Sequence, residues 1–194
     1  MRVLVVYCHP DPDSLVAAAR DRALAGLASA GHEVRVTDLY ADGFEPAMSA
    51  QERLAHSDPG VEPDLQPYAD DLAWAEALVL VYPTWVSGQP ATLKGWIDRV
   101  WVAGVAWELP EGAKVLRPSL GNIRRIVVVT THGSSKWINA VQGEAGKRTV
   151  TRAIRTMCNK RTRTTWCALY GLDTIDGSKR IAFLDRVERT LAKL

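Results

Sequence analysis

The chain has 194 residues, 47% of them hydrophobic, with 24 Lys plus Arg set against 22 Asp plus Glu. That length is met most simply by a single domain over residues 1–194, and the near-even charge gives no global pull toward nucleic acid or an anionic membrane. Cys8, Cys158 and Cys167 are too few and too scattered for a disulfide framework or a zinc site, so no metal is expected and a reduced cytoplasmic setting is.

In chain order, the opening MRVLVVYCHP reads as a strand over Arg2–Cys8 rather than a secretory leader, because its apolar run is too short. Ser14–Ser29 follows as a helix, with Leu15, Ala18, Ala19, Ala23 and Leu27 making a small-residue face. His32–Asp38 is a second strand. Tyr40–Tyr68 is an irregular excursion rich in Pro and Gly, with Ser49 capping a short helix in SAQERLAHS. Strands at Glu76–Tyr82, Arg124–Thr131 and Arg163–Tyr170 alternate with helices at Pro90–Trp101 and Lys179–Leu194. No apolar run reaches the roughly 18 residues of a membrane helix. Strand and helix alternating at this spacing predict an α/β fold, a parallel sheet covered on both faces. Near-continuous apolar runs such as LVLVY and IVVVTT fit central strands buried on both sides.

Ligands of such sheets bind at the carboxyl ends of the strands, where strand order reverses. In the order 2-1-3-4-5 the first, third and fourth strands are adjacent, so CHPDPDSL, YPTWVSGQP and TTHGSSKW share one rim. CHPDPDSL has neither GxGxxG nor a Walker lysine. Ser14 caps the helix there, and the helix start favours an anion that His9 and Ser14 are placed to hold. In the second loop Pro90 suits the first position of a helix. The backbone N–H groups of Thr84 to Ser87 are expected to be free for the edge of a planar ligand, with Trp85 stacking on its face. In the third, Gly133 permits close backbone approach, while Thr130, Thr131 and Ser134 offer hydroxyls.

Together these motifs resemble the NAD(P)H dehydrogenases and quinone reductases of the flavodoxin-like fold. HPDPDSL matches the phosphate loop, PTWVSGQPATLKGWIDRVW the flavin loop and its helix, and TTHGSS the third loop, and the resemblance runs through nearly the whole chain. It implies a doubly wound five-stranded parallel sheet. It also implies a bound flavin, FMN with FAD as the alternative, that takes hydride from NAD(P)H and passes electrons to a quinone or similar acceptor. His9, Ser14 and Leu15 then surround the phosphate. Pro83, Thr84, Trp85, Val86 and Ser87 lie along the ring, and Thr130, Thr131, His132, Gly133 and Ser134 close its other edge. His132 is the candidate to donate a hydrogen bond to the reduced ring, where negative charge gathers. A homodimer is implied, with Trp107 as a substrate-facing aromatic.

The chain departs from the family at Val16, where Asn is frequent, and at Val86, where a second aromatic is frequent. KWINAVQGEAG also lacks the Tyr and His that follow the third loop in mammalian members. The alternative role is a flavin-binding regulatory protein that controls a partner such as a potassium efflux system. Lys147, Arg148, Arg152, Arg155, Lys160, Arg161 and Arg163 read as solvated surface, or as attraction for NADPH phosphates or another acidic partner.

Overall fold

The computed structural model describes residues 1–194. Five parallel strands form the central sheet: β1 Arg2–Tyr7, β2 Glu33–Asp38, β3 Ala77–Pro83, β6 Arg125–His132 and β7 Arg163–Tyr170. Their spatial order is β2-β1-β3-β6-β7, the expected 2-1-3-4-5 when only sheet strands are counted. The remaining strands, β4 Trp107–Glu108 and β5 Arg117–Pro118, form a two-residue antiparallel pair outside the sheet. The helices are α1 Leu15–Ser29, α2 Ala50–Leu54, α3 Gln66–Trp74, α4 Ala91–Val100, α5 Lys136–Val141, α6 Ala145–Arg148 and α7 Gly177–Leu191. A π-helical stretch, Thr149–Ile154, continues α6.

Every residue of β3 is buried, and all of β1 except Arg2. The two-residue side-chain period of a strand explains why both faces stay apolar. Leu4, Val6, Leu78, Leu80 and Ile126 point to one face, where Leu72, Leu93, Trp96 and Val100 cover them. Val3, Val5, Val79, Val81 and Val127 point to the other, against Ala19, Ala23, Leu27, Val187 and Leu191. Register is fixed by the same pattern, with Val5 between Val36 of β2 and Val79 of β3.

Small residues set the helix approach. Gly26 of α1 lies against the Glu188 carbonyl of α7 so closely that a β-carbon would collide with it, and Arg22 adds a 2.6 Å contact to the Glu188 carboxylate. On the opposite face Gly95 of α4 meets Pro46. The excursion is thereby tied to the domain, and buried Arg99 completes the tie by donating to the Glu45 carbonyl and the Glu52 carboxylate. Ser49 and Glu52 form a reciprocal capping box on α2, as the SAQE pattern predicts. Two expectations shift: Pro90 is the N-cap of α4 rather than its first helical residue, and β6 runs on to include His132. No helix is long and apolar enough to cross a membrane.

Candidate functional site

The chain goes outward from β1 to β2 and returns on the other side with β3, so the rim above β1, β3 and β6 is the place where order reverses. The three predicted loops meet there. The His9 and Trp85 rings lie 6.2 Å apart, joining the β1 and β3 loops. The Thr84 N–H donates to the Thr131 carbonyl at 2.8 Å, joining the β3 and β6 loops. Between the β3 and β6 loops an open cleft of about 490 Å³ is lined by Thr84, Trp85, Val86, Ser87, His132, Gly133 and Ser134, while His9, Ser14 and Leu15 of the β1 loop are not among the residues that line it. Pro83, Thr130 and Thr131 are buried beneath as the strand ends that carry it.

At α1, Ser14 is the N-cap and its hydroxyl oxygen accepts from the Ala17 N–H at 3.1 Å. The Leu15 and Val16 N–H groups have no partner in the chain and face the end of the helix dipole. The Val16 side chain is 3% exposed and belongs to the core. Asp11 and Asp13 are exposed, Asp13 through a turn in which its N–H bonds the Asp11 carboxylate.

The β3 loop corrects one expectation. Trp85 and Gly88 exchange two backbone hydrogen bonds, at 3.1 and 3.0 Å, closing a tight hairpin around Val86 and Ser87. Both central residues have positive φ, 47° and 63°, as a type I′ turn requires. Thr84 and Trp85 therefore have no free N–H; only Val86 and Ser87 retain one. The turn is pinned from behind. The Ser87 hydroxyl donates to Gln142 at 2.7 Å, the Gly146 N–H donates to the Ser87 carbonyl at 2.9 Å, and the Gln89 amide donates to the Gly146 carbonyl at 2.8 Å. Trp85 is 42% exposed and lines the cleft.

His132 requires a second correction. It is 6% exposed and stacks on Tyr170 at 4.4 Å between centroids. Buried Asn139 donates its amide to the Ser134 and Ser135 carbonyls, at 3.2 and 2.8 Å, which leaves its side-chain oxygen as the acceptor. His132 Nδ1, 2.8 Å from that oxygen, must therefore carry the proton. Nε2 lies 3.4 Å from the Thr84 hydroxyl, which in turn is 3.0 Å from the Thr130 hydroxyl. Burial pushes the imidazole below its ordinary pKa, against the opposing effect of the Asn139 hydrogen bond. The neutral ring thus presents an acceptor toward the loop, and its only N–H is already engaged. It is not the free donor that its position in the sequence suggested.

Asn139, Gln142 and Asp173 also line the cleft and were not expected. Asp173 follows the fifth strand, so extending the rim rule to that strand would have found it; Asn139 and Gln142 act through contacts that no local pattern encodes. Trp107 is not at this cleft. Its Nε1 donates to the Trp101 carbonyl at 3.2 Å and its ring lies 6.0 Å from His56. Cys8 and Cys158 are buried, and burial pushes each thiol up to about 12; Cys167 is buried with its thiol also raised.

A family model described as the flavodoxin-like fold matches residues 1–187. The chain belongs to that family. Among curated relatives of this flavodoxin-like chain is a ribosyldihydronicotinamide dehydrogenase-like protein, traD, of Penicillium crustosum. It is 30% identical over 69% of the chain and 58% of the relative. The NAD(P)H dehydrogenase (quinone) 1 of Cavia porcellus is 29% identical over 69% of the chain and 54% of the relative. The chain thus spans little more than half the length of these relatives. Solved structures match over a greater share. Smu.1420 of Streptococcus mutans has a TM-score of 0.88 at 28% identity, covering all of both chains. The NAD(P)H:quinone oxidoreductase of Methanothermobacter marburgensis has a TM-score of 0.84 at 28% identity, covering 100% of this chain and 96% of that one.

Proposed function

We propose that the chain is a flavin-dependent NAD(P)H oxidoreductase that passes electrons to a quinone or a similar acceptor. The observation that carries this reading is the single rim on which a half-exposed Trp85, the unpaired N–H groups of Val86 and Ser87, and the open start of α1 converge. A planar heterocycle with an anionic tail needs those three things together. FMN fits them, and FAD is the alternative. The names of relatives such as the Methanothermobacter marburgensis quinone oxidoreductase point to the same donor and acceptor.

The residues divide the work by chemistry. The α1 N–H groups of Leu15 and Val16, with His9 and Ser14, would hold the phosphate, replacing the charge of a lysine with the helix start. Trp85 would cover one ring face, and Val86 and Ser87 N–H would meet an edge carbonyl. Ser134 and the Gly133 backbone would close the opposite edge. When bound, the flavin supplies hydride acceptance and release, which no side chain of this chain can supply. Neutral His132, fixed by Asn139, would orient the Thr84 hydroxyl and so act as a positioning residue. Trp107, remote from the cleft of its own chain, would serve the cleft of a second copy in a homodimer.

Absorbance of the purified protein, after incubation with FMN or FAD, tests the reading directly. Bound flavin bands and NAD(P)H oxidation that continues for many turnovers only when a quinone is added are expected. Absence of flavin uptake, or uptake without quinone-dependent turnover, would remove the proposal. Identification of the flavin released on denaturation decides between FMN and FAD.

A further inference from the structure

At the opposite end of the sheet, the amino ends of β6 and β7 bring together cations that the flavin site does not use. Arg125 begins β6 with Arg124 immediately before it, and Lys160 and Arg161 occupy the loop before β7. With Asn159 they line an open cleft of about 400 Å³ that contains no carboxylate. Arg163, opposite Arg125 in the register, extends the patch. None of these five cations takes part in an ion pair. Their number exceeds the whole chain's net charge of +2. Glu76, whose backbone carbonyl receives the Arg124 N–H, already bonds the Arg2 N–H with its carboxylate at 2.9 Å.

The loop that carries Lys160 and Arg161 is rigidly tied. Asn159 donates its amide to the Gly121 carbonyl at 2.9 Å and accepts the Arg161 N–H at 3.0 Å. The Thr162 side chain, 1% exposed, bonds the Ile123 carbonyl at 2.8 Å. The Arg163 N–H donates to the Arg124 carbonyl, locking one basic pair to the other. Like charges held this close on a fixed backbone repel one another, and the repulsion is relieved by a bound anion. Two adjacent arginines supply forked donors that match phosphate oxygens. The concave form and its size suit a small ligand. The cleft is separated from the His132 rim by the length of β6, about 23 Å at the usual strand rise. The phosphates of a hydride donor bound at that rim are therefore not what Lys160, Arg161 and Arg163 meet.

We propose that this cleft binds an oligophosphate group, either free or as the phosphate chain of a nucleotide. Titration calorimetry of the full chain at low salt, with inorganic tripolyphosphate, adenosine triphosphate and a poly-glutamate peptide as probes, tests it. Saturable binding of tripolyphosphate is expected, weakened about tenfold or more by the double variant Arg125→Ala, Arg161→Ala and unchanged by Lys179→Ala, Arg180→Ala on α7. Equal affinity for the nucleotide identifies the phosphate chain alone as the determinant; tighter nucleotide binding identifies a nucleotide. The double variant should keep the wild-type circular dichroism and lose the rise in melting temperature that tripolyphosphate gives the parent. No saturable binding, binding indifferent to the double variant, or tighter binding of poly-glutamate would each overturn the proposal.

Discussion

At the scale of single residues, the histidine of the third loop carries the clearest lesson. TTHGSS places His132 next to a ligand rim, but the hydrogen bonds that determine its state come from Asn139, seven residues on, and Thr84, forty-eight residues back. Burial lowers its pKa. Because the folded value lies below that of the unfolded chain, the neutral ring contributes stability that is complete above about pH 6.5. That contribution is lost as pH falls through the lower folded value. Stability comparisons at this site therefore belong at pH 8, where the ring is neutral in both states. There, Asn139→Ala leaves the His132 Nδ1–H buried without an acceptor and strips two carbonyls of a donor. A loss of about 1–3 kcal/mol is expected, read from urea denaturation. A loss within error would mean that water takes over the Asn139 contacts and that His132 is not held by them.

At the scale of elements, what was legible depended on whether the physics was local. β1, β3 and β6 are buried on both faces, so each announced itself as a continuous apolar run. α1 and α2 were marked by Ser14 and Ser49, each of which caps its helix as its position predicts. α3 was missed because only Ala69 and Leu72 of QPYADDLAW are buried, too few to set a helical stripe. The hairpin between β3 and α4 was legible as a turn but not in type, because its sequence contradicts its geometry. A type I′ turn favours Asn and Gly at the centre, whereas this one has β-branched Val86 at φ 47° followed by Ser87. Contacts from Gln142 and Gly146 hold the strained conformation. Val86→Asn, which tolerates left-handed backbone, should raise stability by about 1 kcal/mol. An unchanged urea midpoint would show that the turn bears Val86 without cost. The Val86 side chain is wholly exposed, so no lost packing offsets the gain.

At the scale of the whole molecule, alternation of strand and helix was enough to give a parallel sheet, the resemblance to the flavodoxin-like family supplied its order, and that order was enough to bring three loops to one rim. The close approaches that finish the fold were not legible, since a glycine inside a helix looks the same whether it faces solvent or another backbone. Gly26 and Gly95 are both of the second kind, on opposite faces of the sheet. A β-carbon on Gly26 meets the Glu188 carbonyl of α7, and one on Gly95 meets the backbone and ring of Pro46. In neither case is the obstacle the tip of a flexible side chain, so Ala at either position forces a helix or the excursion to move. Each substitution is expected to cost about 1–3 kcal/mol despite the better helix propensity of Ala. The core on one side of the sheet shares no side chain with the core on the other. Gly26→Ala and Gly95→Ala should therefore add to within about 0.5 kcal/mol in the double variant. Urea denaturation of the four proteins measures the coupling. A larger interaction energy would mean that the strands transmit displacement from one helix layer to the other, and that the sheet is not the rigid partition its two separate cores imply.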